Sequence, residues 1–256
     1  MRKINLTILA SPIGHDVSKV YGRFREWMDE TQAFNIATAG PYPFATCPIR
    51  EFMLDSKAVA NTDVFFILCS DEHWTDPEVR KALEAAVFNG AGILFSHGIH
   101  PCFSDWEAVE RMAGLMWRDE ASHGDYNYTR VHMTSPEHPI TRGVTDFDTK
   151  DELFCGLSNT YNVRVEVLAT AFSDYDLLSR HGHHGTGRHE PVLTVGGYGR
   201  GRTVNFILGH VWTYYTGHGL LEDTLLSLEP PQIKKMLLRS CEWAATGKVE
   251  RMEEVK

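Results

Sequence analysis

The 256-residue chain has little of what marks several large classes of protein. Its five cysteines, at 47, 69, 102, 155 and 241, are an odd number at wide spacings with no CxxC pair, so neither a disulfide framework nor a zinc ribbon is suggested. Cys69 falls inside an apolar strand pattern and reads as a small buried residue. Positive charge is scarce: 25 Lys and Arg stand against 34 Asp and Glu, a formal charge of −9, so the concentrated basic surface that grips a nucleic-acid backbone is missing. No apolar run reaches transmembrane length. The opening MRKINLTILASPIGHD has no small-residue cleavage site behind a hydrophobic region, so its apolar stretch reads as a first strand. The expectation is a soluble cytoplasmic protein with neither a nucleic-acid nor a membrane partner. There is no internal repeat and no strong linker, and 43% hydrophobic content over this length can bury the core of one α/β domain spanning 1–256.

Strand and helix patterns alternate through the first half. Lys3 to Ala10 reads as a strand, Val17 to Glu30 as an amphipathic helix with Val20, Phe24 and Trp27 on one face, and Phe34 to Ala39 as a weaker strand. DVFFILC, residues 63–69, is nearly continuously apolar, the pattern of a strand covered on both faces. Asp76-Pro77 caps and opens a helix running to about Asn89. Ile93 to Ser96 then reads as a strand, and about Ser104 to Met116 as a helix capped by Ser104. The second half is β-rich: YTRVHM, VRVEVLATAF, PVLTVGGYG and RTVNFILG are strand-like, with GYGRGR as a hairpin turn, before a last helix over Pro231 to Ala245. Repeated strand-helix-strand units predict an α/β fold with a mainly parallel central sheet and helices on both sides.

In such a sheet, ligands collect outside the carboxyl ends of the strands, where helix N-termini also supply N–H donors. Four apolar runs end in titratable groups: INLTILASPIGH in His15 with Asp16, DVFFILCSDEH in Asp71, Glu72 and His73, AGILFSH in Ser96 and His97, and TVNFILGH in His210. If these strands are parallel, the groups share one edge. A polar residue at a strand end is ordinary, and for Asp71 and Glu72 that reading is preferred. Three imidazoles, His15, His97 and His210, each placed just past a strand, point instead to a site.

The chain also resembles a known family. His138-Pro139-Ile140-Thr141-Arg142-Gly143-Val144, then Asp146-Phe147, then Asp151-Glu152-Leu153-Phe154, is similar to the central signature of the trehalose-utilisation, or ThuA-like, proteins. Pro191-Val192-Leu193, Tyr198-Gly199-Arg200-Gly201-Arg202, Leu208-Gly209-His210, the Gly14-His15-Asp16 start and Glu242-Trp243-Ala244-Ala245 extend the likeness over residues 4 to 246. The resemblance implies a three-layer α/β sandwich similar to the class I glutamine amidotransferases, and a role in sugar metabolism. It also implies a site role for Glu152, with Asp151 as its rival, and for His123. The chain departs from true glutaminases, whose nucleophilic cysteine sits on a sharp strand-to-helix turn. That position holds Phe95-Ser96-His97-Gly98, and Cys102 lies well into the next loop, so glutamine hydrolysis is not expected.

Ser96 half matches a serine elbow, since Gly98 is small and Leu94 is not, so a backbone hydrogen bond is the simpler reading. Acid/base chemistry needs a group titrating near neutrality and an opposed partner, which imidazole and carboxylate supply. The expected catalytic set is therefore His15, His97, Glu152 and His210, with His97 and His100 both open as the imidazole after the fourth strand. Substrate contacts are expected from Asp16, Ser96, His100, Asp105, Trp106, His123, Trp212 and Tyr214; helical spacing with Val109 equally suits Trp106 to the core. His138 reads as a packing and turn-capping residue. Zinc or manganese could be held by His97, His100, Glu152 and His210, although no HExxH-like spacing appears. RHGHHGTGRH, residues 180–189, reads as a solvated loop rather than a metal tract. The resulting expectation is an enzyme acting on a sugar or keto-sugar by His/Glu acid–base chemistry. A sugar-binding or regulatory protein with the same pocket is the alternative, and assembly into homo-oligomers stays open.

Overall fold

The computed structural model describes residues 2–11, 17–41, 44–69, 74–176, 184–211 and 224–254. His15, Asp16, Asp71, Glu72, His73, Trp212, Tyr214 and residues 180–183 lie outside them. The first half builds β1 (Ile4–Ala10), α1 (Val17–Thr31), β2 (Phe34–Ala39), α2 (Ile49–Leu54), α3 (Ser56–Ala60), β3 (Val64–Leu68), α4 (Pro77–Phe88), β4 (Gly92–Phe95) and α5 (Glu107–Ala113). The second adds β5 (Ser122–His123), β6 (Asn127–Met133), β7 (Phe147–Asp151), β8 (Phe154–Cys155), β9 (Glu166–Ser173), β10 (Arg188–Tyr198), β11 (Gly201–Phe206) and α6 (Pro231–Thr246).

Among the described residues nine strands form one sheet in the order β2-β1-β3-β4-β11-β10-β9-β6-β7, so strands of both halves are continuous in it. The β2-β1-β3-β4-β11 section is parallel, and β10, β9, β6 and β7 follow in antiparallel sequence. Alternation fixes what each face buries. Val64, Phe66 and Leu68 point to the layer of α1 and α6, while Phe65 and Ile67 point to that of α2, α4 and α5. Phe65 and Phe66 are both fully buried, each stabilising the fold by roughly 1.5–3 kcal/mol. The result is a three-layer α/β sandwich with a β-rich second half.

β4 approaches α6 so closely at Gly92 that an added Cβ would stand 2.4 Å from the Ala244 carbonyl oxygen. Asp76 caps α4 by accepting from the Glu78 N–H at 2.9 Å. The helix expected over Ser104 to Met116 is shorter: Trp106, buried side chain first, precedes its first turn, and the chain leaves helical geometry at Gly114. Among the described residues no helix is long and apolar enough to cross a membrane.

Candidate active site

β4 and β11 are parallel neighbours, so both chains leave the sheet at the same edge. β4 passes into Ser96 and a 3-10 turn over His97–Ile99; β11 passes through Ile207 to His210. β7 ends at this edge too, because two antiparallel reversals separate β11 from β9 and two more separate β9 from β7. Alternate residues Phe147, Thr149 and Asp151 of β7 are buried, which drives the Asp151 carboxyl inward.

That carboxyl joins the two strand ends. One oxygen accepts from the backbone N–H of Glu152 at 2.8 Å and of His210 at 3.1 Å, and the other from Gly209 N–H at 2.8 Å. Burial pushes its pKa up to about 7, against the pull of those three N–H groups. Gly209 has φ +118°, a conformation that L side chains rarely adopt, and this turn brings the His210 N–H round to Asp151.

Around this clamp the sequence-predicted groups meet. His210 Nδ1 lies 3.1 Å from Glu152 Oε2 and 3.0 Å from His97 Nε2. His123 Nδ1 lies 3.3 Å from the other Glu152 oxygen. His123 gets there through the two-stranded pairing of β5 with β8, which sets it opposite Phe154. His97, Glu152 and His210 are buried, and His123 is part-exposed. The His97 ring stacks on Phe154 with centroids 4.0 Å apart, and its Nδ1 is 2.6 Å from the Ile207 carbonyl oxygen. A carbonyl only accepts, so Nδ1 carries the proton and Nε2 presents its lone pair to the centre.

His97 and His100 take different places in this geometry. His100 is fully buried, with Nδ1 2.6 Å from the His97 carbonyl oxygen and Nε2 2.9 Å from Asn205 Oδ1. The Asn205 amide is oriented by its Nδ2, which donates to the Ala113 and Leu115 carbonyls at 3.1 and 2.9 Å. His100 thus holds the turn, and His97 faces Glu152 and His210. One ligand atom each from His97, Glu152 and His210 lie within 4.8 Å of one another, a spacing that can hold a metal ion; His100 is outside that set.

Two of the expected contact residues stand apart from this centre. Asp105 pairs with Arg80 of α4 at 2.9 Å. Trp106 is buried between Phe103 and α4 and donates its indole N–H to Glu84, so helical spacing reports core packing there. Neither joins the centre. Ser96 donates to the Ile67 carbonyl at 2.9 Å from an extended backbone, φ −98°, and shows no elbow. Cys102 is buried with Sγ 3.5 Å from the Gly98 oxygen. His138 accepts from Ile140 N–H and packs on Trp243, as expected. Within residues 180–189, His184 stacks on Tyr175 and His189 lies beside Phe172. Sequence reasoning missed the clamp role of Asp151, which the period-two burial of β7 could have signalled, and missed Asn205 and Phe154.

A three-layer sandwich with its polar centre at the carboxyl edge of the sheet is a glutamine amidotransferase-like fold. A glutamine amidotransferase from Thermotoga maritima shares the fold at TM-score 0.50 and 11% identity, over 99% of this chain and 100% of that one. Within that class the chain belongs to the ThuA family, described as trehalose utilisation, which matches residues 24–244. A putative ThuA-like protein from Parabacteroides merdae superposes at TM-score 0.77 with 22% identity, over 97% of this chain and 92% of that one. A second, from Bacteroides uniformis, gives 0.65 with 14% identity over 95% and 91%. No curated protein matches the sequence.

Proposed function

We propose that this protein is a carbohydrate-metabolism enzyme that acts on a sugar or keto-sugar by general acid–base chemistry at the Glu152 centre. The observation that carries the reading is the buried carboxylate flanked on one oxygen by His210 and on the other by His123, with His97 next in line. A carboxylate between imidazoles can take a proton from a hydroxyl, or from carbon next to a carbonyl, and return it through a neighbour. Low dielectric around it strengthens the contacts that hold these groups in line. Membership of the trehalose utilisation family supports a sugar as substrate. Hydrolysis, elimination and isomerisation all use this equipment. His15 and Asp16, at the end of the β1 run, and Trp212 and Tyr214, just past His210, complete the proposed surroundings by sequence alone.

The test is a mass-spectrometric screen of the purified protein against native and 3-keto disaccharides. Conversion that His97→Ala and Glu152→Ala abolish supports the enzyme. Binding that survives both substitutions, with no sugar turned over, means a sugar-binding or regulatory protein instead.

A further inference from the structure

Three potential ligand atoms converge in the buried centre. The contact from His97 Nδ1 to the Ile207 carbonyl leaves Nε2 as an acceptor, and an ionised Glu152 offers only acceptors. Both face one atom, His210 Nδ1, at 3.0 and 3.1 Å. With His210 in the tautomer that bares Nδ1, a cation among the three atoms engages them together.

We propose that His97 Nε2, His210 Nδ1 and Glu152 Oε2 hold one divalent transition-metal ion, zinc foremost, with a further position open to water or a substrate oxygen. The inference takes its place from the proposed site but does not depend on the substrate. Tetrahedral bonds of about 2.0–2.2 Å set ligand atoms roughly 3.4 Å apart. The two contacts at 3.0 and 3.1 Å therefore need to open by only a few tenths of an ångström. Two imidazoles with one carboxylate form a borderline donor set that suits zinc, with manganese as competitor.

The surroundings are those of a built site. The Ile207 carbonyl fixes the tautomer and plane of His97, and Phe154 stacks on its ring. A single Asp151 oxygen holds the backbone N–H of both Glu152 and His210, so two of the three ligands are registered to each other before an ion arrives. Coordination through Oε2 leaves Oε1 facing His123, and with the ion bound proton transfer falls to that pair and to the oxygen at the open position.

The test uses full-length protein stripped with chelator, then titrated calorimetrically with zinc and separately with manganese. We expect one ion per chain, with affinity lost by about 100-fold or more in His97→Ala, His210→Ala and Glu152→Gln. His184→Ala, outside the centre, keeps it. Because the ligand variants could unfold, cobalt loading of the wild-type protein is the second readout: a visible spectrum of low-symmetry nitrogen and oxygen coordination is expected. No stoichiometric ion, unchanged affinity in folded His210→Ala, or a cobalt spectrum no different from the free ion overturns the proposal. Full sugar conversion by ion-free protein removes the metal and keeps the enzyme. Stoichiometric binding without any conversion does the reverse.

Discussion

Asn205→Leu removes a side chain that ties three segments together. From β11, Asn205 Oδ1 accepts from His100 Nε2, and Nδ2 donates to the carbonyls of Ala113 and Leu115 at the end of α5. All lie in the core, where Asn205 is 1% exposed. At about 0.5–1.5 kcal/mol for each hydrogen bond, and more for an orphaned buried donor on His100, the loss totals about 3 kcal/mol. That is a large share of the roughly 5–15 kcal/mol that holds a typical domain together. At about 2–4 °C per kcal/mol for a chain of this size, Tm falls by roughly 6–12 °C. Urea unfolding followed by far-ultraviolet circular dichroism measures the free energy, and calorimetry the Tm. Turnover falls further than stability, because His100 also grips the His97 carbonyl and so fixes the ring that faces Glu152. A loss below about 0.5 kcal/mol would refute the claim that Asn205 anchors the turn.

Ser96→Ala deletes the bond to the Ile67 carbonyl and lowers stability by about 1 kcal/mol in urea melts, with turnover intact; lost turnover would make Ser96 a participant. Gly209→Ala forces a side chain onto φ +118° and lowers stability by about 1–3 kcal/mol, with a turnover loss because His210 is the next residue; a neutral result would mean the loop relaxes freely. His138 is half-buried against Trp243, and burial holds its pKa below the ordinary value. The unfolded chain therefore takes up the proton first, so the stability from His138 is intact above about pH 6.5 and is lost as pH falls through the lowered folded value. His138→Gln shrinks the difference in unfolding free energy between pH 8 and pH 5.5, and an unchanged difference would contradict the assignment.

Much of the sheet was legible because its strands are buried on both faces. DVFFILC and AGILF are continuous apolar runs, and His97 and His210 announce where β4 and β11 leave the core. Helix bounds near Asp76-Pro77 were legible for the same local reason, a cap and a proline in sequence. The meeting of β7 with the end of β11 was not, because it depends on four antiparallel reversals through β10, β9 and β6 that no local pattern records. Asp151 and Glu152 look alike in sequence; only the pleat distinguishes the clamp from the carboxylate facing the imidazoles. His123 was visible only through family resemblance, since a two-residue strand has no periodicity to read. Trp106 was open in sequence because an aromatic beside a candidate site and an aromatic in a helix-packing core look the same until α4 is placed against it.

The central claim is that Glu152 carries the proton transfers of a reaction on a sugar. The most direct measurement is the turnover of Glu152→Gln relative to wild type on whichever disaccharide the protein converts, with circular dichroism confirming the fold. The amide keeps the shape and removes the base, so a loss of about 10²- to 10⁴-fold is predicted, with the sugar still bound. Turnover within about twofold of wild type would contradict the account.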